Sequence, residues 1–196
     1  MLNEANLGLI FLSAFLVNNI LLIRFLGLCS FIGISTNLKS SVGMGAAVVF
    51  VTVMACSISW AVYRYLLLPF RLEYLRTAAF ILTIASFVQF EEIIIRKKVP
   101  AMYKAFGIYL PLITTNCAIL ASAFLGIDYK LSFIQNLVFA LGISAGYCLI
   151  IVLFASIRER IDSAPIPVNF RGVPIAFILT GLMSLALMGF KGLFKL

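Results

Sequence analysis

Apolar residues fill this chain in six long runs separated by short polar or charged breaks, at about Leu7–Ile34, Val42–Tyr63, Thr77–Ile95, Ala101–Leu125, Leu131–Ile157 and Val173–Phe190. A helix needs about 20 residues to cross roughly 30 Å of hydrocarbon, so each run is long enough to span a bilayer. The pattern predicts an all-α integral membrane protein with six transmembrane helices. The longest break, Arg158 to Arg171, contains Pro165 and Pro167 and is too short for a soluble domain, so residues 1–196 are expected to form a single membrane domain. Six spans divide into three plus three, with halves at about 1–98 and 99–196. An odd number per half makes the second half enter the membrane from the opposite face, which is the geometry of an inverted repeat.

Each half opens on a run that carries its own interruptions. In the first, Asn18, Asn19 and Gly27 precede Cys29; in the fourth, Pro111, Thr114, Thr115 and Asn116 precede Cys117. Irregular backbone at bilayer depth is tolerated only where protein or a cavity covers the freed polar groups. Interrupted helices at two cysteine motifs therefore mark a candidate buried centre, approached near the midplane from opposite faces. A different motif, Gly142-Ile143-Ser144-Ala145-Gly146, has the spacing of a hydrolase nucleophile elbow. That device requires a strand, a sharp turn and a histidine, and the chain lacks histidine altogether; inside an apolar helix the same residues predict close helix packing.

Composition agrees with a membrane setting, since 63% of the residues are hydrophobic and 11% charged, too little polar surface to coat a soluble globule. The net charge of +8 does not point to nucleic acid, because the basic residues sit at the ends of the apolar runs, as headgroup anchors do. One set of breaks and ends holds Arg64, Arg71, Arg76, Lys130, Lys191 and Lys195; the other holds Lys39, Arg96, Lys97, Lys98, Lys104, Arg158, Arg160 and Arg171. Six against eight favours N- and C-termini outside. Leu7 to Ile23 follows Glu4 rather than a basic stretch, so the first run is expected to be a retained span. Arg24 lies within that run and must snorkel, pair or line a cavity.

Without histidine, chemistry falls to cysteine, carboxylate or backbone. Cys29, Cys56, Cys117 and Cys148 show no Cys-x-x-Cys spacing and no disulfide framework. Cys56 and Cys148 sit among Val, Ala, Ser, Ile and Leu and are expected to pack as small hydrophobes. Cys29 and Cys117 adjoin helix breakers that can turn backbone amides toward the sulfurs, as thiolate ligands to iron or zinc require at low dielectric. Two thiolates do not fill a four-ligand site, so a metal held by this pair would need two more ligands from a related subunit or a second copy. Glu91-Glu92, followed by Arg96-Lys97-Lys98, is either an ion-path carboxylate pair or a solvated interfacial cluster. Asn18, Asn19, Gln89, Thr114, Thr115 and Asn116 are candidates for interhelical hydrogen bonds.

The segments Leu16-Val17-Asn18-Asn19-Ile20-Leu21-Leu22-Ile23-Arg24-Phe25-Leu26-Gly27-Leu28-Cys29-Ser30-Phe31 and Leu110-Pro111-Leu112-Ile113-Thr114-Thr115-Asn116-Cys117-Ala118-Ile119-Leu120 closely resemble the two signature stretches of the Rnf/Nqr family of membrane electron-transfer subunits. The resemblance covers essentially the whole chain. One departure is Ser30, where many members have Pro after the cysteine. The resemblance implies a membrane subunit of a ferredoxin:NAD oxidoreductase that transports Na+ or H+, part of a translocase and not catalytic alone. It implies Cys29 and Cys117 as two ligands of a [2Fe-2S] cluster, completed by two cysteines of the homologous, oppositely oriented RnfE. It also implies RnfB, RnfC, RnfD and RnfG as further partners, and the cytoplasmic (inner) membrane of a bacterium or archaeon as the location. Asn18, Asn19, Arg24, Thr114, Thr115 and Asn116 become candidates for tuning such a cluster. The rival from the residues alone is a secondary transporter with a midplane site, in which the cysteines are incidental; a scaffold without a site is a third.

Overall fold

The first apolar run does not fold as one helix. In the computed structural model, which describes residues 7–17, 19–35, 38–70, 73–98, 116–162, 167 and 170–191, α1 (Leu7–Leu12) widens into a π-helical turn at Ser13–Val17. The chain then restarts as α2 (Ile20–Arg24) and again as α3 (Leu28–Ile34). Local chemistry sets these breaks. Asn19 takes an extended backbone and its side chain accepts from the Leu21 N–H at 3.2 Å, capping α2. Phe25, left-handed at φ 54°, closes α2, and Gly27, at φ 88°, opens α3. Glycine adopts that backbone without a Cβ penalty.

Short helices leave carbonyls without intrahelical partners, and distant side chains supply the missing donors. The Leu22 carbonyl accepts from Ser184 Oγ at 2.6 Å. The Ile32 carbonyl accepts from Arg158 Nη1 at 3.0 Å, and the same nitrogen bonds Ser35 Oγ at 2.9 Å. Arg158 is thus no headgroup anchor in a loop. It lies on a helix that continues to Asp162, and it is 8% exposed, with its charge at the carbonyl end of α3, where the helix dipole favours a cation.

The remaining elements are longer. α4 (Leu38–Val62) continues through a π-helical turn, Tyr63–Leu67, into α5 (Leu68–Phe70), and a 3-10 turn at Glu73–Leu75 leads to α6 (Arg76–Lys98). The second half contributes α7 (Cys117–Asp128), α8 (Phe133–Asp162) and α9 (Val173–Lys191). No strand occurs among the described residues. Ser41–Leu67 and Phe133–Ile161, of 27 and 29 residues, are long and apolar enough to cross a bilayer; Leu7–Leu16, Arg76–Phe90, Cys117–Asp128 and Val173–Gly189 are shorter apolar helices. The all-α expectation holds. Residues 101–115 of the fourth predicted run, Pro111 included, lie outside the described residues.

α8 is the central helix and packs on α4, on α1 with its π-helical turn, and on α7. Met44, Val48, Val51 and Ala55 form one stripe of α4 and share a buried cluster with Ala140, Tyr147, Ile151 and Phe154 of α8. Phe31 of α3 joins it, its ring centroid 4.3 Å from that of Phe154. Along another face of α8, Gly142 and Gly146 admit the first broken span. A Cβ at Gly142 would stand 2.9 Å from Ala14 Cβ and from the Phe11 carbonyl oxygen, and one at Gly146 would stand 2.7 Å from the Phe15 carbonyl oxygen. This is the close contact that the Gly-x-x-x-Gly spacing predicts. Three buried hydroxyls in these helices, Thr52, Ser144 and Thr180, donate to the carbonyl four residues back, at 2.6, 2.8 and 2.7 Å, while Ser59 Oγ, buried in α4, has no partner among the described residues.

Candidate functional site

The two interrupted segments meet. The Gly27 N–H, two residues before Cys29, donates to Cys117 Sγ at 2.9 Å, joining positions 90 residues apart. The bond is crossed, because the amide freed by one cysteine motif serves the sulfur of the other. Each cysteine also occupies the first turn of a helix, Cys29 as the second residue of α3 and Cys117 as the first of α7. N–H groups there lack intrahelical acceptors, and the positive end of the helix favours a thiolate.

Asn116 repeats in the second half what Asn19 does in the first. Its backbone is extended and its Oδ1 accepts from the Ala118 N–H at 3.1 Å, which starts α7 at Cys117. Its Nδ2 is buried and has no hydrogen-bond partner among the described residues, although the neighbouring residue is Cys117. Gly27 fits tightly into this junction: a Cβ there would stand 3.1 Å from Asn116 Oδ1, 3.2 Å from Ala118 Cβ and 3.3 Å from Tyr147 Cε2. Tyr147, 1% exposed, bonds Ser30 Oγ at 2.8 Å through its hydroxyl, and Ser30 Oγ donates to the Gly27 carbonyl at 2.9 Å.

On its other side the junction is open. Cys29 is exposed and Cys117 half-buried, while Arg24 and Phe25, at the end of α2, are exposed as well. Cys56 and Cys148 are set in mid-helix instead. Cys56 is buried with its sulfur 3.3 Å from Ser122 Oγ, and Cys148 abuts Gly45 across the α4–α8 contact. Among the described residues, no three His, Cys, Asp or Glu side chains cluster as a metal site. A metal held by Cys29 and Cys117 would need further ligands from outside the described residues.

Of the other candidates, Asn19 and Asn116 are helix caps that flank the junction, and Arg24 ends α2. Asn18, Thr114 and Thr115 lie outside the described residues, as do the side chains of Glu91 and Glu92, whose backbone belongs to α6. Sequence reasoning passed over Tyr147 and Arg158. A signal existed for Tyr147, since a phenol within an apolar helix must find a hydrogen-bond partner, and it follows directly on Gly146.

Apolar helices, small-residue contacts and buried polar groups bonded between distant helices define a helical membrane protein in which the two cysteine motifs meet at the Gly27–Cys117 bond. The sequence matches the family described as "Rnf-Nqr subunit, membrane protein" over residues 7–194. It is 50% identical over 188 residues to the A component of the ion-translocating oxidoreductase complex of Aeromonas salmonicida, covering 96% of this chain and 97% of that protein. The same component from Syntrophotalea carbinolica and from Yersinia enterocolitica is 52% identical in each case, with 96% and 95% of this chain covered and 97% of each relative. The chain belongs to the Rnf-Nqr family of membrane subunits.

Proposed function

We propose that this chain is the A component of an ion-translocating oxidoreductase complex of the Rnf type, and that it carries electrons through the membrane on a metal centre held by Cys29 and Cys117. Relatives of nearly equal length bear that component's name. The observation that carries the site reading is the crossed bond from the Gly27 N–H to Cys117 Sγ, which joins the two cysteine motifs at one junction. The donor set suits a [2Fe-2S] cluster: two thiols at helix starts, a backbone amide already aimed at one sulfur, and the buried Nδ2 of Asn116 with no partner among the described residues. Two cysteines of the homologous RnfE, inserted with opposite orientation, complete the set, and the exposure of Cys29 supports that sharing.

Such a cluster supplies one-electron transfer between the two faces of the membrane. The residues of this chain prepare its seat. The Gly27 N–H points at Cys117 Sγ, and each cysteine stands in the first turn of a helix, which lowers the cost of negative charge at low dielectric. Gly27 opens α3 ahead of Cys29, and Asn116 caps α7 at Cys117. Six spans in a 3+3 inverted repeat, with both termini outside the cytoplasmic membrane, complete the architecture. In the assembled complex, with RnfB, RnfC, RnfD and RnfG, electron flow between ferredoxin and NAD drives Na+ or H+ across the membrane.

The test is iron content with and without the partner. The purified pair should hold about two iron atoms, and this chain expressed alone should hold none. A pair without iron, together with solute flux through vesicles containing only this chain, would replace the relay with a transporter.

A further inference from the structure

Behind the cysteine junction runs a hydrogen-bond chain that the ligands themselves do not need. Tyr147 is 1% exposed and Ser30 is fully buried; their hydroxyl oxygens are 2.8 Å apart, and Ser30 Oγ donates to the Gly27 carbonyl at 2.9 Å. Since the single Ser30 proton goes to Gly27, the Tyr147 hydroxyl donates to Ser30. Gly27 is the residue whose N–H meets Cys117 Sγ, and its φ of 88° is a conformation that an unheld glycine leaves readily. The Tyr147 ring closes on the same glycine, 3.3 Å from where a Cβ would stand. Tyr147 belongs to α8, the helix that organises the rest of the core, so the chain ties the broken first span to the most continuous element of the molecule.

We propose that Tyr147 and Ser30 are positioning residues that hold the Gly27 amide on Cys117 Sγ and thereby set the reduction potential of the centre built on Cys29 and Cys117. This rests on the cluster reading above. A hydrogen bond to a ligand sulfur stabilises the more negative, reduced state, so a loosened Gly27 makes the centre harder to reduce. No bond to the metal is removed, and the centre remains assembled.

The experiment is potentiometric titration of the cluster's electron paramagnetic resonance signal in the purified complex, with iron content measured alongside, for wild type, Tyr147→Phe, Ser30→Ala and the double variant. Tyr147→Phe removes one oxygen and keeps the buried ring. We expect full iron, an intact signal and a more negative midpoint in both single variants. The shift for Ser30→Ala should be about a tenfold fall in the one-electron reduction constant, equivalent to about 59 mV. The double variant should shift no further than Ser30→Ala, because the two hydroxyls act in series. Unchanged midpoints with the cluster present would overturn the proposal, as would an effect of Tyr147→Phe that Ser30→Ala lacks. Loss of the cluster from both single variants while the complex stays assembled would also overturn it, by showing that the pair builds the site instead of tuning it. A wild-type complex without any such signal would remove the cluster reading itself, and this proposal with it.

Discussion

Cys29 and Cys117 differ from Cys56 and Cys148 in the backbone that carries them, since all four sit in strongly apolar sequence. The first pair stands in the opening turns of α3 and α7, where free N–H groups and helix dipoles accumulate and where the Gly27 amide reaches a sulfur. The second pair lies within continuous helices, where every nearby amide is committed to the helical ladder. Cys56 there meets only a serine hydroxyl, and Cys148 fills the space beside Gly45. The first pair thus stands where the proposed ligation would be supported by backbone donors. Gly27 opens α3 and Asn116 caps α7, and the Gly27 amide serves the sulfur at the start of α7.

The sharpest way to damage the first region without touching a sulfur is Gly27→Ala. It forces a Cβ into a left-handed backbone and against Asn116 and Ala118, so it should cost about 2 kcal/mol of stability and displace the amide from Cys117. Thermal unfolding of the detergent-solubilised complex measures the first effect, and the reduction midpoint of the centre the second. Asn116→Ala should cost about 1 kcal/mol through the lost cap, and Asn116→Asp, which retains the accepting oxygen, should recover most of it. If Asn116→Ala leaves the midpoint of unfolding unchanged, the capping account of the second break is wrong. The smallest effect belongs to the other region: Cys148→Ala should stay within about 1 kcal/mol and leave iron content unaltered, because its sulfur only packs.

The sequence revealed the features that depend on neighbours. Apolar runs marked the described helices, Asn19 and Gly27 marked the interruptions before Cys29, Asn116 marked the start of α7, and Gly142 with Gly146 marked the close contact with α1 and its π-helical turn. Features that depend on meeting partners were not visible. Gly27 and Cys117 are 90 residues apart, and no periodicity says that the amide of one motif will be spent on the sulfur of the other. Arg158 reads as a headgroup anchor because basic residues at the ends of apolar runs usually are; the short α3, whose carbonyl end needs a donor, draws it inward. Tyr147 resembles any aromatic residue of an apolar helix until Ser30 is seen against its hydroxyl. Ser30 itself supplies the hydroxyl that links Tyr147 to Gly27.

On the proposed function, a place in the first turn of a helix, and not sulfur content, decides which cysteines bind metal. The most direct test is the electron paramagnetic resonance spectrum of the dithionite-reduced complex for four variants, Cys29→Ser, Cys117→Ser, Cys56→Ser and Cys148→Ser, each with its iron content. We expect the same [2Fe-2S] signal to vanish in the first two while the complex remains assembled, and to persist in the last two. A signal that survives Cys29→Ser and Cys117→Ser with iron unchanged would contradict the account and leave all four cysteines as packing residues.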